Sequence, residues 1–201
     1  MKSPLLPCLN VQHRIGVSKP IAIMAEVKRK SPSKGIIAHG VNPVEQALRY
    51  AKGGAAVVSV LTEPKYFAGN IEEMKEIRIA FENLDKRPAI LMKDFIVSEY
   101  QIYEARCYGA DTILLIVAST SDEDLSKYIQ IARSIGIEPI VEVNCESEMK
   151  RALALDARVI GVNNRDLRTF EVDMNTTSRL AKLIPKDSKV TLCAFSGIST
   201  R

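Results

Sequence analysis

Residues 55–61, Ala-Ala-Val-Val-Ser-Val-Leu, carry apolar side chains at odd and even positions alike. Successive side chains of a strand point to opposite faces, so such a run is buried on both, and helices must cover the sheet it joins. Similar short strands are predicted over residues 21–27, 89–92, 112–117, 138–143, 158–162 and 189–193. Helices are predicted between them. Asn42-Pro43-Val44-Glu45 supplies a cap, a first-turn proline and a third-position acid, and Gly53-Gly54 ends that helix. Asn70 with Glu73 opens the next, to about residue 83, and Ser98 with Gln101 makes a capping box for a helix that stops at Gly109. Others are predicted over residues 121–135, 145–155 and 173–183. Strand–helix units of roughly 20 to 35 residues give a parallel α/β architecture, either an open doubly wound sheet or a closed barrel.

The polar residues separate these two. An apolar run ends in Glu26-Val27-Lys28-Arg29-Lys30-Ser31-Pro32-Ser33-Lys34-Gly35, and Glu26 and Lys28, two apart, project from one face if the strand persists. This loop suits a phosphorylated or carboxylated ligand, although by itself it reads equally well as a solvated basic turn. Lys93 stands at the end of another strand, Glu142 in a third and Asn163-Asn164-Arg165-Asp166 after a fourth. An open sheet would concentrate its site near one switch point, whereas a ring of polar strand ends describes the mouth of a (β/α)8 barrel. The glycine-rich dinucleotide loop is absent after every strand, which gives nicotinamide and flavin chemistry no support.

At 201 residues and 46% hydrophobic, the chain can bury one sizeable core. Residues 1–20, with prolines and no sustained period, are expected to form an N-terminal arm with one short helical turn at best, and residues 21–201 the barrel domain. A net charge of +4 does not indicate a nucleic-acid partner. Cys8, Cys107, Cys145 and Cys193 lack metal-ligand or redox-motif spacing, so no metal is expected and the thiols read as reduced and cytoplasmic. The longest apolar runs are too short to span a bilayer, and no membrane partner is expected.

Six blocks, residues 26–33, 59–67, 91–96, 142–144, 161–167 and 196–199, closely resemble indole-3-glycerol phosphate synthase in identity and in order. The resemblance runs from about Ile21 to the end. It implies a cofactor-free closure of the indole ring of 1-(2-carboxyphenylamino)-1-deoxyribulose 5-phosphate, a small anionic phosphosugar substrate, with release of carbon dioxide and water. It casts Lys93 as general acid, Glu142 as general base, Lys28 as partner of the substrate carboxylate, Glu26 as the group that orients the lysines, and Asn163 as a hydrogen-bonding partner of the reacting centre. Arg165 would steady the mouth, Phe67 and Phe95 would face the aromatic ring, and Ser31, Ser196 and Gly197 would hold the phosphate. By residue type alone, Phe67 and Phe95 read as core aromatics, Glu142 as an ion-pair partner of Lys93, and residues 163–166 as a plain turn.

The sequence departs from that family in two places. Phe195 stands where the family has a glutamate, and the chain reaches Arg201 with about seven strands, so a shortened barrel without an eighth β/α unit is expected. Unpaired first and last strands would then invite a homo-oligomer. Two readings follow: a synthase, its activity reduced by Phe195, or a degenerate barrel that binds a phosphosugar or a partner without turnover. A phosphoribosylanthranilate isomerase is disfavoured, since it would not need Lys28, Lys93 and Glu142 together.

Overall fold

The computed structural model describes residues 7–18 and 20–198. Residues 1–6 and Lys19 of the expected arm, and Ser199 of the last motif, lie outside them. In chain order the elements are α1 (Val11–Gly16), β1 (Met24–Val27), β2 (Lys30–Ser31), β3 (Gly35–Ile36), α2 (Pro43–Lys52), β4 (Val57–Leu61), α3 (Pro64–Phe67), α4 (Ile71–Ala80) and β5 (Ala89–Lys93). There follow α5 (Glu99–Cys107), β6 (Thr112–Ile116), α6 (Asp122–Ser134), β7 (Ile140–Val143), α7 (Glu146–Ala154), β8 (Val159–Asn163), α8 (Asn175–Ala181) and β9 (Thr191–Phe195). The capping signals act as their chemistry requires. Asn42 accepts from the N–H groups of Val44 and Glu45 at 2.9 and 3.2 Å, and Gln101 Oε1 accepts from the Ser98 N–H at 3.1 Å.

Among the described residues, seven strands form one parallel sheet in the order β1-β4-β5-β6-β7-β8-β9. The order follows the chain without reversal. A doubly wound sheet would turn back at a switch point, so this is the singly wound arrangement of a β/α barrel, with β1 and β9 each paired on one side. The side-chain period of two sorts the core into two clusters. Val58, Val60, Ile90, Met92, Ile113, Leu115, Val141, Ile160 and Val162 pack outward against the helices. Val57, Ala89, Leu91, Leu114, Ile116, Ile140 and Val159, of opposite parity, pack with one another on the other face. These inner side chains are buried because the sheet curls on itself.

The structure differs from the sequence reading at several small elements. The polar run after β1 folds back as the antiparallel pair β2–β3, joined by Lys30↔Ile36 and Ser31↔Gly35. Helix α3 was not anticipated; it begins where Glu63 accepts from the N–H groups of Lys65, Tyr66 and Phe67. Strand β9 runs two residues beyond Cys193, because β8 continues to Asn163 and pairs it with Phe195.

Helix α1 lies under the base of the curled sheet, with Val11 fully buried in the inner cluster. Gln12 Nε2 donates to the Lys189 carbonyl at 2.7 Å, next to β9. Further around the base, Asp111 Oδ1 accepts from the Leu9 N–H at 2.8 Å, and both Asp111 oxygens take Arg87 in a fork at 2.6 and 2.8 Å. Arg87 also donates to the Pro7 carbonyl at 2.7 Å, and Asp111 Oδ2 accepts from the Ile90 N–H at 2.8 Å. Asp111→Ala would leave Arg87 buried without its counter-charge, held by the Pro7 and Pro88 carbonyls alone. The substitution is expected to lower unfolding free energy in urea by about 3–5 kcal/mol, and a loss below about 1 kcal/mol would mean that solvent relaxes the site.

Candidate active site at the carboxyl ends of the strands

The parity that builds the inner cluster also builds the mouth. Glu26 stands two residues beyond Met24, Lys93 beyond Leu91, Glu142 beyond Ile140, Asn163 beyond Gly161 and Phe195 beyond Cys193; each continues an inward row to the carboxyl end of its strand. Polar residues from β1, β5, β7 and β8 thereby enter one space.

Glu26 is its electrostatic hinge. Lys28 Nζ donates to Glu26 Oε1 at 2.5 Å, and Lys93 Nζ lies 3.5 Å from Oε2, so one carboxylate holds two ammonium groups, one from just after β1 and one from the end of β5. Burial alone would raise the Glu26 carboxyl, but the Lys93 and Lys28 charges and their hydrogen bonds outweigh it and set it below the ordinary glutamate value. Glu142 has the opposite balance. It is 4% exposed, and its burial raises the carboxyl above the ordinary value despite the opposing Lys93 charge and the Asn163 hydrogen bond. The ion pair of Lys93 falls to Glu26 rather than to Glu142. Asn163 Nδ2 donates to Glu142 Oε1 at 3.1 Å, and Asn163 Oδ1 accepts from the Arg165 N–H at 3.0 Å, which fixes the amide orientation. Two glutamates therefore differ in proton affinity inside one mouth, the condition for an acid–base division of labour.

The other expected residues surround this core. Phe67 and Phe95 face each other at the rim, ring centroids 6.5 Å apart and planes tilted by 42°. Ser31 is buried in β2, where its Oγ accepts from the Lys34 N–H at 3.3 Å. Ser196 and Gly197 follow β9 with φ of 63° and 76°, and the Ser196 carbonyl accepts from Asn164 Nδ2 at 3.3 Å. The Arg165 guanidinium does not reach the lysine–glutamate group; it donates to the Phe170 carbonyl at 2.7 Å and holds the loop after β8. Phe195 turns inward, its ring so close to Gly161 that a Cβ there would lie 2.2 Å from a ring carbon.

Supporting contacts escaped the sequence reading. Thr62 donates to Asp94 Oδ2 at 2.5 Å, tying together the ends of β4 and β5. Arg29 joins the loops after β1 and β4 through the Ala68 carbonyl at 2.5 Å and Glu73 at 2.8 Å. Asn144 Nδ2 donates to the Asn163 carbonyl at 2.7 Å. Only Glu63-Pro64 carried a local signal, that of a helix cap followed by a first-turn proline. Among the described residues, no three His, Cys, Asp or Glu side chains gather as metal ligands, and no helix is long and apolar enough to cross a membrane.

Fold and mouth together define a parallel β/α-barrel protein with ionisable side chains gathered at the carboxyl ends of its strands. Solved structures match the fold at low identity: a 3-keto-L-gulonate-6-phosphate decarboxylase from Vibrio cholerae has a TM-score of 0.63 at 15% identity, over 88% of this chain and 78% of that one. A thiamine phosphate pyrophosphorylase from Pyrococcus furiosus gives 0.62 at 14%, over 94% and 78%. The sequence is more specific. The family model for indole-3-glycerol phosphate synthase matches residues 8–201. An indole-3-glycerol phosphate synthase of Roseiflexus castenholzii is 46% identical over 182 residues, 90% of this chain and 68% of that protein. A multifunctional tryptophan biosynthesis protein of Phycomyces blakesleeanus is 56% identical over 195 residues, 97% of this chain and 25% of its own length. The chain belongs to the indole-3-glycerol phosphate synthase family, and it spans about a quarter of the length of the multifunctional relatives it matches.

The raised Glu142 carboxyl has a thermodynamic sign. A carboxyl raised in the folded state binds protons more tightly there than in the unfolded chain, so stability falls as pH rises from the ordinary value of 4.5 through the folded value. Glutamine at 142 can still accept from Asn163 and carries no charge to desolvate. Glu142→Gln is expected to raise Tm at pH 7, with the gap closing as pH falls toward 4.5; a lower Tm at pH 7 would reverse the assigned shift.

Proposed function

We propose that the chain is an indole-3-glycerol phosphate synthase, which closes the indole ring of 1-(2-carboxyphenylamino)-1-deoxyribulose 5-phosphate and releases carbon dioxide and water. The observation that carries this reading is the pairing of Lys28 and Lys93 on Glu26 opposite a buried Glu142 with a raised carboxyl. The reaction needs an acid where the aromatic ring attacks the ribulose carbonyl, a cation for the substrate carboxylate and a base as water leaves and aromaticity returns. Lys93 is the acid and protonates the carbonyl oxygen. Lys28 pairs with the carboxylate, and Glu142 is the base. Glu26 aims both lysines, and Asn163 holds Glu142 and offers its remaining N–H to the reacting centre. Phe67 and Phe95 close over the aromatic ring, Ser31, Ser196 and Gly197 take the phosphate, and Arg165 steadies the rim through the loop it holds. A cytoplasmic location goes with this reading.

Fluorescence of indoleglycerol phosphate formed from the carboxyphenylamino substrate tests it directly; binding without turnover would favour a degenerate phosphosugar-binding barrel. Lys93→Ala and Glu142→Gln are each expected to lower kcat by about 10² or more, the contribution of a positioned acid or base. Losses under about tenfold in both would move the chemistry to other groups.

Phe195 qualifies the activity. Its ring points inward, and the resemblance puts a glutamate at this position, so on this reading a polar contact to the substrate is replaced by apolar surface. A hydrogen bond is worth roughly 0.5–1.5 kcal/mol, and Phe195→Glu is expected to raise kcat/KM at least about threefold. An unchanged or lower value in the folded variant would separate this position from substrate contact.

A further inference from the structure

Ser59 lies in the middle of β4, 2% exposed, and its Oγ has no hydrogen-bond partner. Its parity is that of Val57 in the inner cluster, so it faces the interior. The ladder places it beside Glu26 on β1 and Leu91 on β5. Leu91 offers no polar atom, which leaves Glu26 as its polar neighbour across the ladder. A buried hydroxyl without a partner is unfavourable, and a position that needed packing alone would be served better by alanine.

Without substrate, Glu26 has little use for this hydroxyl, because Lys28 occupies one oxygen and Lys93 approaches the other. The situation changes during the reaction. On the proposed roles of the two lysines, both ammonium groups turn to the substrate carboxylate and carbonyl, and Glu26 is left half-buried without its cations. Neighbouring strands are about 4.8 Å apart, so a change of Ser59 χ1 carries its Oγ toward the Glu26 carboxylate.

We infer that Ser59 is a positioning residue for Glu26: its hydroxyl donates to the Glu26 carboxylate when Lys28 and Lys93 engage the substrate, and keeps that carboxylate in place through the reaction. The inference rests on the proposed roles of Lys28 and Lys93. Ser59 touches no reacting atom, and the orphaned hydroxyl of the unliganded protein is the donor held for the liganded one.

Two measurements test this, one of which needs no turnover. In a chain carrying both Lys28→Met and Lys93→Met, Glu26 lacks its two cations as it would beside substrate. Adding Ser59→Ala to that chain is expected to raise the Glu26 titration midpoint, followed by carboxyl-carbon NMR, by at least about half a unit. With both lysines present, Ser59→Ala is expected to leave Tm equal or higher, KM within about twofold, and kcat lower by about ten- to a hundredfold, the size of one hydrogen bond to a charged group. Ser59→Thr, which keeps the hydroxyl, should recover at least half of that loss. An unmoved Glu26 titration would overturn the inference, as would a fall in kcat that follows a fall in Tm and is not recovered by threonine. Absence of turnover in the unsubstituted chain would overturn the synthase reading instead, and the titration would still decide the role of Ser59.

Discussion

The two-residue period of a strand buried on both faces constrains the whole molecule. In β4 to β8, one parity is spent on the helices and the other on the interior of the curl, so neither face has room for an uncompensated charge. Ionisable residues enter the inner rows only where those rows reach solvent, at the carboxyl ends. The mouth is therefore a consequence of the core: Glu26, Lys93 and Glu142 continue the rows that begin with Met24, Leu91 and Ile140. A shift of one residue in any strand would send its functional side chain out among the helices.

Within the mouth, the distribution of charge matters more than its amount. Glu26 shares two lysines and is held ionised, whereas Glu142 has an asparagine for its direct partner and is raised by burial. Both are glutamates on inward rows of one mouth, Glu26 on β1 and Glu142 on β7, and their environments push their proton affinities apart. Lys28 and Lys93 both rest on Glu26, so on the roles proposed for them the contact that positions them must loosen when they act, and the residues around Glu26 bear on that step.

The β8–β9 edge shows how packing redefines a mouth. Gly161 has no side chain, and the Phe195 ring fills the space above it, with Cys193 and the inner cluster below. Apolar surface thus continues up one wall of a polar mouth, directly beside Asn163, its register partner. Glycine is required at 161 for this close approach, since a methyl group there would meet the ring. The loops beyond are tied down in a similar way, by Arg165 on Phe170 and by Asn164 on Ser196.

The strands and most helices were legible in the sequence because their causes are local: runs apolar at both parities, caps such as Asn42 and Ser98, and stops such as Gly53 and Gly109. The lysines, the glutamates and Asn163 were legible because charge at the end of an apolar strand has few places to go, and because the six motif blocks resemble one family. The partners of those residues were not. Nothing local says that Lys93 pairs with Glu26 rather than Glu142, that Arg87 and Asp111 anchor residues 7–9, or that the Ser59 hydroxyl is stranded beside Glu26. Such contacts depend on the register between distant strands and on the curl that brings them round. Sequence by itself determined the alternating elements and the identity of the ionisable groups, because propensity, parity and capping act over a few residues. Tertiary structure alone decided which charge neutralises which and how far each carboxyl is shifted, because Coulomb interaction and desolvation depend on distance and burial in three dimensions.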